Sequence, residues 1–231
     1  VARNELDIDS MLKVLNDLTN TAEEKVSLLS DGDYKIIKVI SGHTFKKDIY
    51  PSYKQSRKKN EYLGVFRDFV KENFTDLCIV PILEADDVII MLYERHKDAI
   101  VFSDDKDLRY YCPNYCKINI NELPALEEDN EKAILEQMLI GDKEDSITGV
   151  PKVGEVTSRK LLEKNGYSLE NVIRIYRDYN VSIDDCMRDI SLVTPLCSRW
   201  TKNYKYGLDN KTVMENILNR YSYLNEKIKE I

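Results

Sequence analysis

Two short apolar runs, each ending in carboxylates, constrain this chain more than any other feature. Cys78-Ile79-Val80-Pro81-Ile82-Leu83 leads directly into Glu84-Ala85-Asp86-Asp87. Ala99-Ile100-Val101-Phe102 leads, one serine later, into Asp104-Asp105 and Asp107. A brief apolar run bounded by polar residues is the pattern of a buried strand. In an open α/β sheet the ligand crevice lies beyond the carboxyl ends of the strands. Acids at the ends of two strands therefore point into one pocket. Carboxylates that converge repel one another unless protons or cations intervene, and hard oxygen ligands suit Mg²⁺ or Mn²⁺. A further acidic stretch runs from Asp142 to Asp145. The pattern reads as a divalent-metal site.

A simpler reading exists for each cluster on its own. Helical geometry puts Glu84 and Asp87 on one face, with Asp86 about 100° to the side. Acids in a first helical turn are favoured by the helix dipole at roughly 0.3–1 kcal/mol each, with no metal involved. The recurrence of the arrangement after a second strand favours the metal.

The strands alternate with helical periods in the first half of the chain. Ile8 to Leu18 has a helical apolar period, Tyr34 to Ile40 is β-branched, and Tyr62 to Phe74 is amphipathic. Helices are expected at Asp86 to Glu94 and Lys106 to Tyr111, and a last strand at Cys116 to Ile120. Beyond Asn121 helical periods dominate, at Ala133 to Ile140, Glu155 to Lys164, Leu169 to Tyr179 and Lys211 to Ile231. Residues 1–120 thus read as an α/β core carrying a basic segment, and residues 121–231 as a helical part.

Composition excludes some classes. Hydrophobic residues make up 42% and charged residues 32%, which describes a soluble globular chain. No apolar stretch approaches the roughly 20 residues of a membrane span, so no membrane partner is expected. No signal peptide is visible, and the five irregularly spaced cysteines with two histidines complete no zinc site. Reduced thiols in the cytoplasm are expected.

The formal net charge of −7 argues superficially against a nucleic-acid partner. Its distribution argues the other way. Between Lys35 and Asn60 eight basic residues face a single acid, Asp48. A basic strip beside an acidic, metal-holding pocket suits an enzyme that cleaves phosphodiesters. Lys54, Arg57 and Lys58 are three and four apart and share a face if the segment is helical; a solvated basic helix is the alternative. Gly149 and Gly154 bracket a tight loop between two helices, whose amides and following helix N-terminus suit a phosphate. Such a helix-hairpin-helix grips the DNA backbone without reading sequence, although an ordinary turn between helices has the same outline.

Three elements in order carry a resemblance: Glu84-Ala85-Asp86-Asp87, then Ser103-Asp104-Asp105-Lys106-Asp107-Leu108, then Gly141-Asp142-Lys143-Glu144-Asp145-Ser146-Ile147-Thr148-Gly149-Val150-Pro151-Lys152-Val153-Gly154. Together they resemble the 5′-nuclease superfamily, which includes bacteriophage flap endonucleases and the 5′→3′ exonuclease domain of bacterial DNA polymerase I. The likeness runs from about Ile36 to Thr201. It extends to the run Phe45 to Arg57, with Tyr50-Pro51-Ser52-Tyr53-Lys54-Gln55-Ser56-Arg57, which is similar to the segment entering the family's helical arch. Arg188 to Val193 is similar to its late core helix.

The resemblance implies a PIN-like, mostly parallel sheet flanked by helices, with a helical C-terminal part containing the helix-hairpin-helix. It implies that Glu84, Asp86, Asp87, Asp105, Asp107, Asp142 and Asp145 surround two Mg²⁺ or Mn²⁺ ions, with K⁺ as a further ion in the hairpin. Lys54 and Arg57 are implied as catalytic. Tyr53, Lys54, Arg57, Lys58, Gly149, Lys152 and Gly154 are implied to contact DNA bearing 5′ single-stranded flaps or ends. The implied activity is structure-selective 5′→3′ exonuclease and flap endonuclease cleavage, by a monomer in the cytoplasm of a bacterial or phage-infected cell.

The chain departs from the family pattern in three places. The family's first strand, ending in aspartate, is expected to be missing, because the sequence from Val1 runs straight into a helix. Ser41 stands where a second strand ends in aspartate, and Lys152 replaces a usual glycine. Two absent ligands favour a second reading, a DNA-junction binding protein of the same fold with impaired catalysis. A PIN-type ribonuclease is a third, disfavoured by the helix-hairpin-helix.

Overall fold

The computed structural model describes residues 8–29, 32–57, 61–74, 77–79, 83–117 and 130–195. Lys58, residues 80–82 of the first acidic strand, residues 118–120 and the helix expected at Lys211 to Ile231 lie outside them. Thirteen elements follow one another among the described residues: α1 (Ile8–Leu29), β1 (Lys38–Val39), α2 (Lys46–Ile49), α3 (Glu61–Asn73), β2 (Leu77–Cys78), α4 (Ala85–Arg95), β3 (Val101–Ser103), a 3₁₀ turn (Lys106–Tyr110), β4 (Tyr115–Lys117), α5 (Asn130–Ile140), α6 (Glu155–Asn165), α7 (Leu169–Asp178) and α8 (Ile183–Val193).

Among the described residues both strand pairings are parallel. β1 pairs with β2 through Lys38 opposite Leu77 and Val39 opposite Cys78. β3 pairs with β4 from Val101 opposite Tyr115 to Ser103 opposite Lys117. The strands are shorter than their apolar runs. Tyr34 to Ile40 forms a ladder only at β1, because β2 offers just two paired residues. Beyond that ladder the two segments stay linked, with the register shifted by three residues. The Ile40 amide donates to the Cys78 carbonyl at 3.2 Å, and the Gly42 amide to the Leu83 carbonyl at 2.8 Å. The second bond brings residue 41 to the start of α4.

The helices are set by apolar faces and caps. In α5, Ile134, Leu135, Met138 and Leu139 are buried, a stripe at helical spacing. α7 begins where Ser168 Oγ accepts the Asn171 amide, and α8 where Ser182 Oγ accepts the Asp185 amide. Tyr176 is buried in α7 and its hydroxyl donates to the Met138 carbonyl at 2.7 Å, which ties α7 to α5. α1 continues eleven residues past the expected Leu18. Its later turns bury only Ala22 and Val26, a stripe too narrow to stand out among polar neighbours.

A single core cluster joins the two halves. Cys78, Leu83, Val88 and Val101 from the α/β part share it with Ile134, Leu139, Leu162, Tyr176 and Ile190 from the helical part. The described hydrophobic core therefore takes residues from both sides of Asn121. The four described cysteines, Cys78, Cys112, Cys116 and Cys186, are buried free thiols. Among the described residues no helix is long and apolar enough to cross a membrane.

Candidate functional site

The site begins where β1 and β2 end. Glu84 is the extended residue preceding α4, and its amide donates to Asp87 Oδ2 at 3.3 Å. That bond is the helix-start chemistry offered by the simpler reading of the sequence, and it is present. It does not account for the whole cluster. Glu84, Asp86 and Asp87 each present a carboxylate oxygen within 4.8 Å of the others, and Glu84 and Asp87 are buried. Buried carboxylates this close need positive charge between them.

In this structure the charge comes from side chains. Lys46, at the start of α2, is 3% exposed and places its ammonium 3.2 Å from Glu84 Oε2. Lys54 ion-pairs with Glu84 Oε1 and lies 3.9 Å from Asp145 Oδ2. Arg57 contacts Asp145 Oδ1 as an ion pair, but without the alignment of a full hydrogen bond. Tyr53, 1% exposed, joins the two acids, with its hydroxyl 3.0 Å from Glu84 Oε2 and 3.2 Å from Asp145 Oδ2.

These contacts set the proton affinities. Burial pushes the Glu84 carboxyl up, but Lys46 and then Lys54 more than reverse this and hold its pKa down to about 2. A depressed carboxylate stabilises the fold above its unfolded pKa of about 4.3, and that contribution is lost as pH falls through the folded value. Asp86 is raised, first by burial, with Glu84 and Asp105 adding repulsion against the pull of Lys46 and Lys54. Asp145 is also raised, by burial foremost, despite Lys54 and Arg57. Burial lowers Lys46, yet Asp87 and the other nearby groups hold it well above the ordinary lysine value, so it stays charged.

The remaining acids lie around this centre. Asp105 is exposed, caps the 3₁₀ turn by accepting the Asp107 amide at 3.0 Å, and is near enough to repel Asp86. Asp107 is half-buried in the same turn. Asp142 turns its Oδ1 onto the amides of Glu144 and Asp145, at 2.8 and 3.2 Å, and so holds the loop that presents Asp145. The structure thus gathers Glu84, Asp86 and Asp87 closely and links Asp145 to them through Tyr53 and Lys54. Asp105, Asp107 and Asp142 stand outside the close group.

The basic segment differs from the helix that its spacing suggests. Residues 51–57 form successive turns, with Lys54 at φ +57°. The Lys54 amide donates to the Asp145 carbonyl at 3.0 Å instead of to a helical partner four residues back. Docking onto the 142–146 loop has overridden local preference; Ser56 Oγ bonds the Glu144 carbonyl at 2.8 Å there. Lys54 and Arg57 still converge, on Asp145, although they share no helical face.

The hairpin between α5 and α6 is built on two left-handed glycines. Gly141 and Gly149 have φ of +74° and +64°, and an antiparallel bridge joins Asp142 to Ile147. A Cβ on Gly149 would lie 2.5 Å from the Ile140 backbone. The Gly149 amide faces inward and donates to Asp189 Oδ2 at 3.0 Å, so this glycine shapes the loop and offers no outward donor. Lys152 and Gly154 are exposed at the loop's rim, with Lys152 at φ +64°.

Three contributors gave little sign in the sequence. Lys46 looked like one more member of the solvated basic strip. Asp189, 1% exposed and paired with Arg188, lies in the Arg188 to Val193 stretch of the resemblance, where no role was assigned to it. Ser41 was noted as a departure, and its Oγ accepts the Ala85 amide at 3.0 Å. It therefore opens beside Glu84, as its place after an apolar strand suggests.

No family model matches the chain. Curated relatives do. The 5′-3′ exonuclease of Aquifex aeolicus (strain VF5) is 30% identical over 155 residues, covering 59% of this chain and 53% of the relative. DNA polymerase I of Lactococcus lactis subsp. cremoris (strain MG1363) is 31% identical over 156 residues, covering 56% and 17%. The chain is thus similar to 5′-3′ exonucleases and to part of DNA polymerase I. It spans about half the length of the exonucleases it matches and a smaller share of the polymerases. Among solved structures, the fold is similar to that of T5 5′-exonuclease with bound zinc, at a TM-score of 0.62 and 15% identity, covering 99% of this chain and 92% of that one. It is also similar to bacteriophage T5 flap endonuclease in a pseudo-enzyme-product complex with DNA and metal ions, at 0.59 and 16%, covering 93% and 90%. At such identities the likeness concerns the fold alone, a PIN-like α/β architecture.

Proposed function

We propose that this chain is a structure-selective 5′-nuclease that hydrolyses DNA at 5′ single-stranded flaps or ends. The observation that carries the reading is the approach of Glu84, Asp86 and Asp87 within 4.8 Å beside Lys54 and Arg57. An acidic oxygen set of this kind fits Mg²⁺ or Mn²⁺, and Asp145 and Asp105 flank it for a second ion. Divalent ions held there supply Lewis acidity, lowering the pKa of water and stabilising charge on the phosphate.

The chain's own residues have distinct parts in this reading. Tyr53 holds Glu84 and Asp145 in fixed relation through one hydroxyl. Lys54 and Arg57, the more accessible cations, exchange their carboxylate partners for the scissile phosphate and neutralise its developing charge. Asp142 fixes the loop that carries Asp145. Lys152, Gly154 and the N-terminus of α6 hold the duplex backbone, with Gly149 acting only through loop shape. Selection is by DNA shape in this reading, through contacts to the backbone. The relatives support this reading by name, as 5′-3′ exonucleases and DNA polymerase I.

A second reading, a junction-binding protein with impaired catalysis, is favoured by Ser41. Cleavage of a labelled 5′-flap substrate in Mg²⁺ and Mn²⁺ separates the two. Ser41→Asp places a carboxylate where Ser41 Oγ now meets the Ala85 amide, a position an N-terminal cap also favours. The rate is expected to rise about tenfold, part of the about 10²-fold that a misplaced group can cost. Absence of cleavage by parent and variant alike sinks the nuclease reading and leaves the binding one.

The hairpin gives an independent check. Lys152 occupies a left-handed conformation that costs a non-glycine residue about 1 kcal/mol. Lys152→Gly should therefore raise the melting temperature slightly while weakening DNA binding. The salt slope, log Kd against log salt, should fall by about 0.9 as one phosphate contact is lost. An unchanged slope would remove Lys152 from the DNA interface.

A further inference from the structure

Lys46 sets itself apart from Lys54 and Arg57, the other described basic groups that pair with the site's acids. Lys54 and Arg57 reach the acids from partly open positions, with side chains 23% and 50% exposed. Lys46 is 3% exposed, and its amide is fixed by Thr44 Oγ1 at 3.2 Å. Its ammonium sits 5.6 Å from the centre of the Tyr53 ring and 3.2 Å from Glu84 Oε2. Arriving phosphate can draw Lys54 or Arg57 away. It cannot draw out a lysine enclosed in the core.

We propose that Lys46 is a resident counter-cation of the carboxylate cluster, interchangeable in charge with bound divalent metal. It is a positioning residue, since it touches Glu84 and no reacting atom. The inference rests on the metal reading above and adds a limit to it. With one positive charge permanently spent on Glu84, Asp86 and Asp87, the cluster offers a divalent ion two net negative charges in place of three. Metal affinity is thereby restrained, and the acids stay assembled before metal arrives. A purely structural lysine would behave differently. Its removal would loosen the cluster and weaken metal binding.

Calorimetric titration of the full chain with Mn²⁺ distinguishes these cases, with circular dichroism following the fold. Lys46→Met removes the charge at similar length. Lys46→Gln removes it while keeping a donor for Glu84, and Lys46→Arg keeps it. Both neutral variants should bind Mn²⁺ at least about tenfold more tightly than the parent, the gain a unit charge brings near a partly buried site. They should also melt lower than the parent in EDTA and recover most of that difference in Mn²⁺. Lys46→Arg should stay near the parent in affinity. Should the neutral variants be unfolded in EDTA but folded in Mn²⁺, the exchange of charge is supported directly. Failure to fold in either condition overturns it, as does unchanged or weaker Mn²⁺ binding. No Mn²⁺ binding by parent or variants overturns the metal reading itself, a separate result.

Discussion

Gly149→Ala should cost about 3 kcal/mol of stability, the sum expected for a left-handed non-glycine and an overpacked contact. The cause is local and steric. A methyl at this position would come within 2.5 Å of the carbonyl carbon and oxygen of Ile140, which are backbone atoms at the end of α5 and cannot rotate aside. Relief would require opening the loop, at the expense of the Gly149 amide's bond to Asp189 and the Val150 amide's bond to the Leu139 carbonyl. For a chain of this size the melting midpoint should fall by roughly 10 °C. Gly154→Ala provides the control. Nothing lies within 4 Å of its would-be Cβ and its φ is −114°, so any residue fits. Thermal melts of the two variants should separate widely; similar midpoints would show that the hairpin is not closed against α5 as described. The loop also carries Asp145, so the first variant should weaken the Arg57 and Lys54 contacts along with the fold.

The comparison of those two glycines shows where sequence reading succeeds and where it stops. Both were visible as brackets of a tight loop, since glycine between two helical periods signals a turn. Their unequal roles depend on which backbone they approach, and only the folded arrangement of α5 against the loop decides that. The same division runs through the site. Glu84, Asp86 and Asp87 were legible because an apolar run leading into acids is a local pattern, and the structure brings their oxygens together. The link from Glu84 to Asp145 was carried by the family resemblance and crosses 61 residues of chain, closed by one tyrosine hydroxyl. Lys46 was hidden for a physical reason. A lysine is usually solvated, and Thr44-Phe45-Lys46-Lys47 gives no periodic sign that the first lysine turns inward and the second outward. The basic segment failed in the opposite way. Its spacing suited a helix, but the Lys54 amide and the Ser56 hydroxyl bond to the 142–146 loop, so tertiary docking set its conformation.

Lys54→Ala should move two measurements in opposite directions, and that pairing is the sharpest test of the proposed active site. Cleavage of a 5′-flap substrate should fall about 10²–10³-fold, the loss typical when one group stabilising transition-state charge is removed. Where the parent rate is too low to follow, the same comparison holds in the Ser41→Asp background. Mn²⁺ affinity should meanwhile rise, because Lys54 occupies Glu84 Oε1 and competes there with any cation. The fold is not a confounding factor. Alanine pays the same left-handed backbone cost at φ +57° as lysine does, and the amide of residue 54 keeps its bond to the Asp145 carbonyl. Arg57→Ala should follow the same pattern more weakly for the metal, since Arg57 pairs with Asp145 and leaves the closer trio untouched. A solvated lysine would leave both measurements near the parent. A lysine that merely propped the site together would lower both. A fall in rate with tighter metal binding is the outcome reserved for a cation that guards the carboxylates until phosphate arrives. Parallel changes in the two quantities would refute that role.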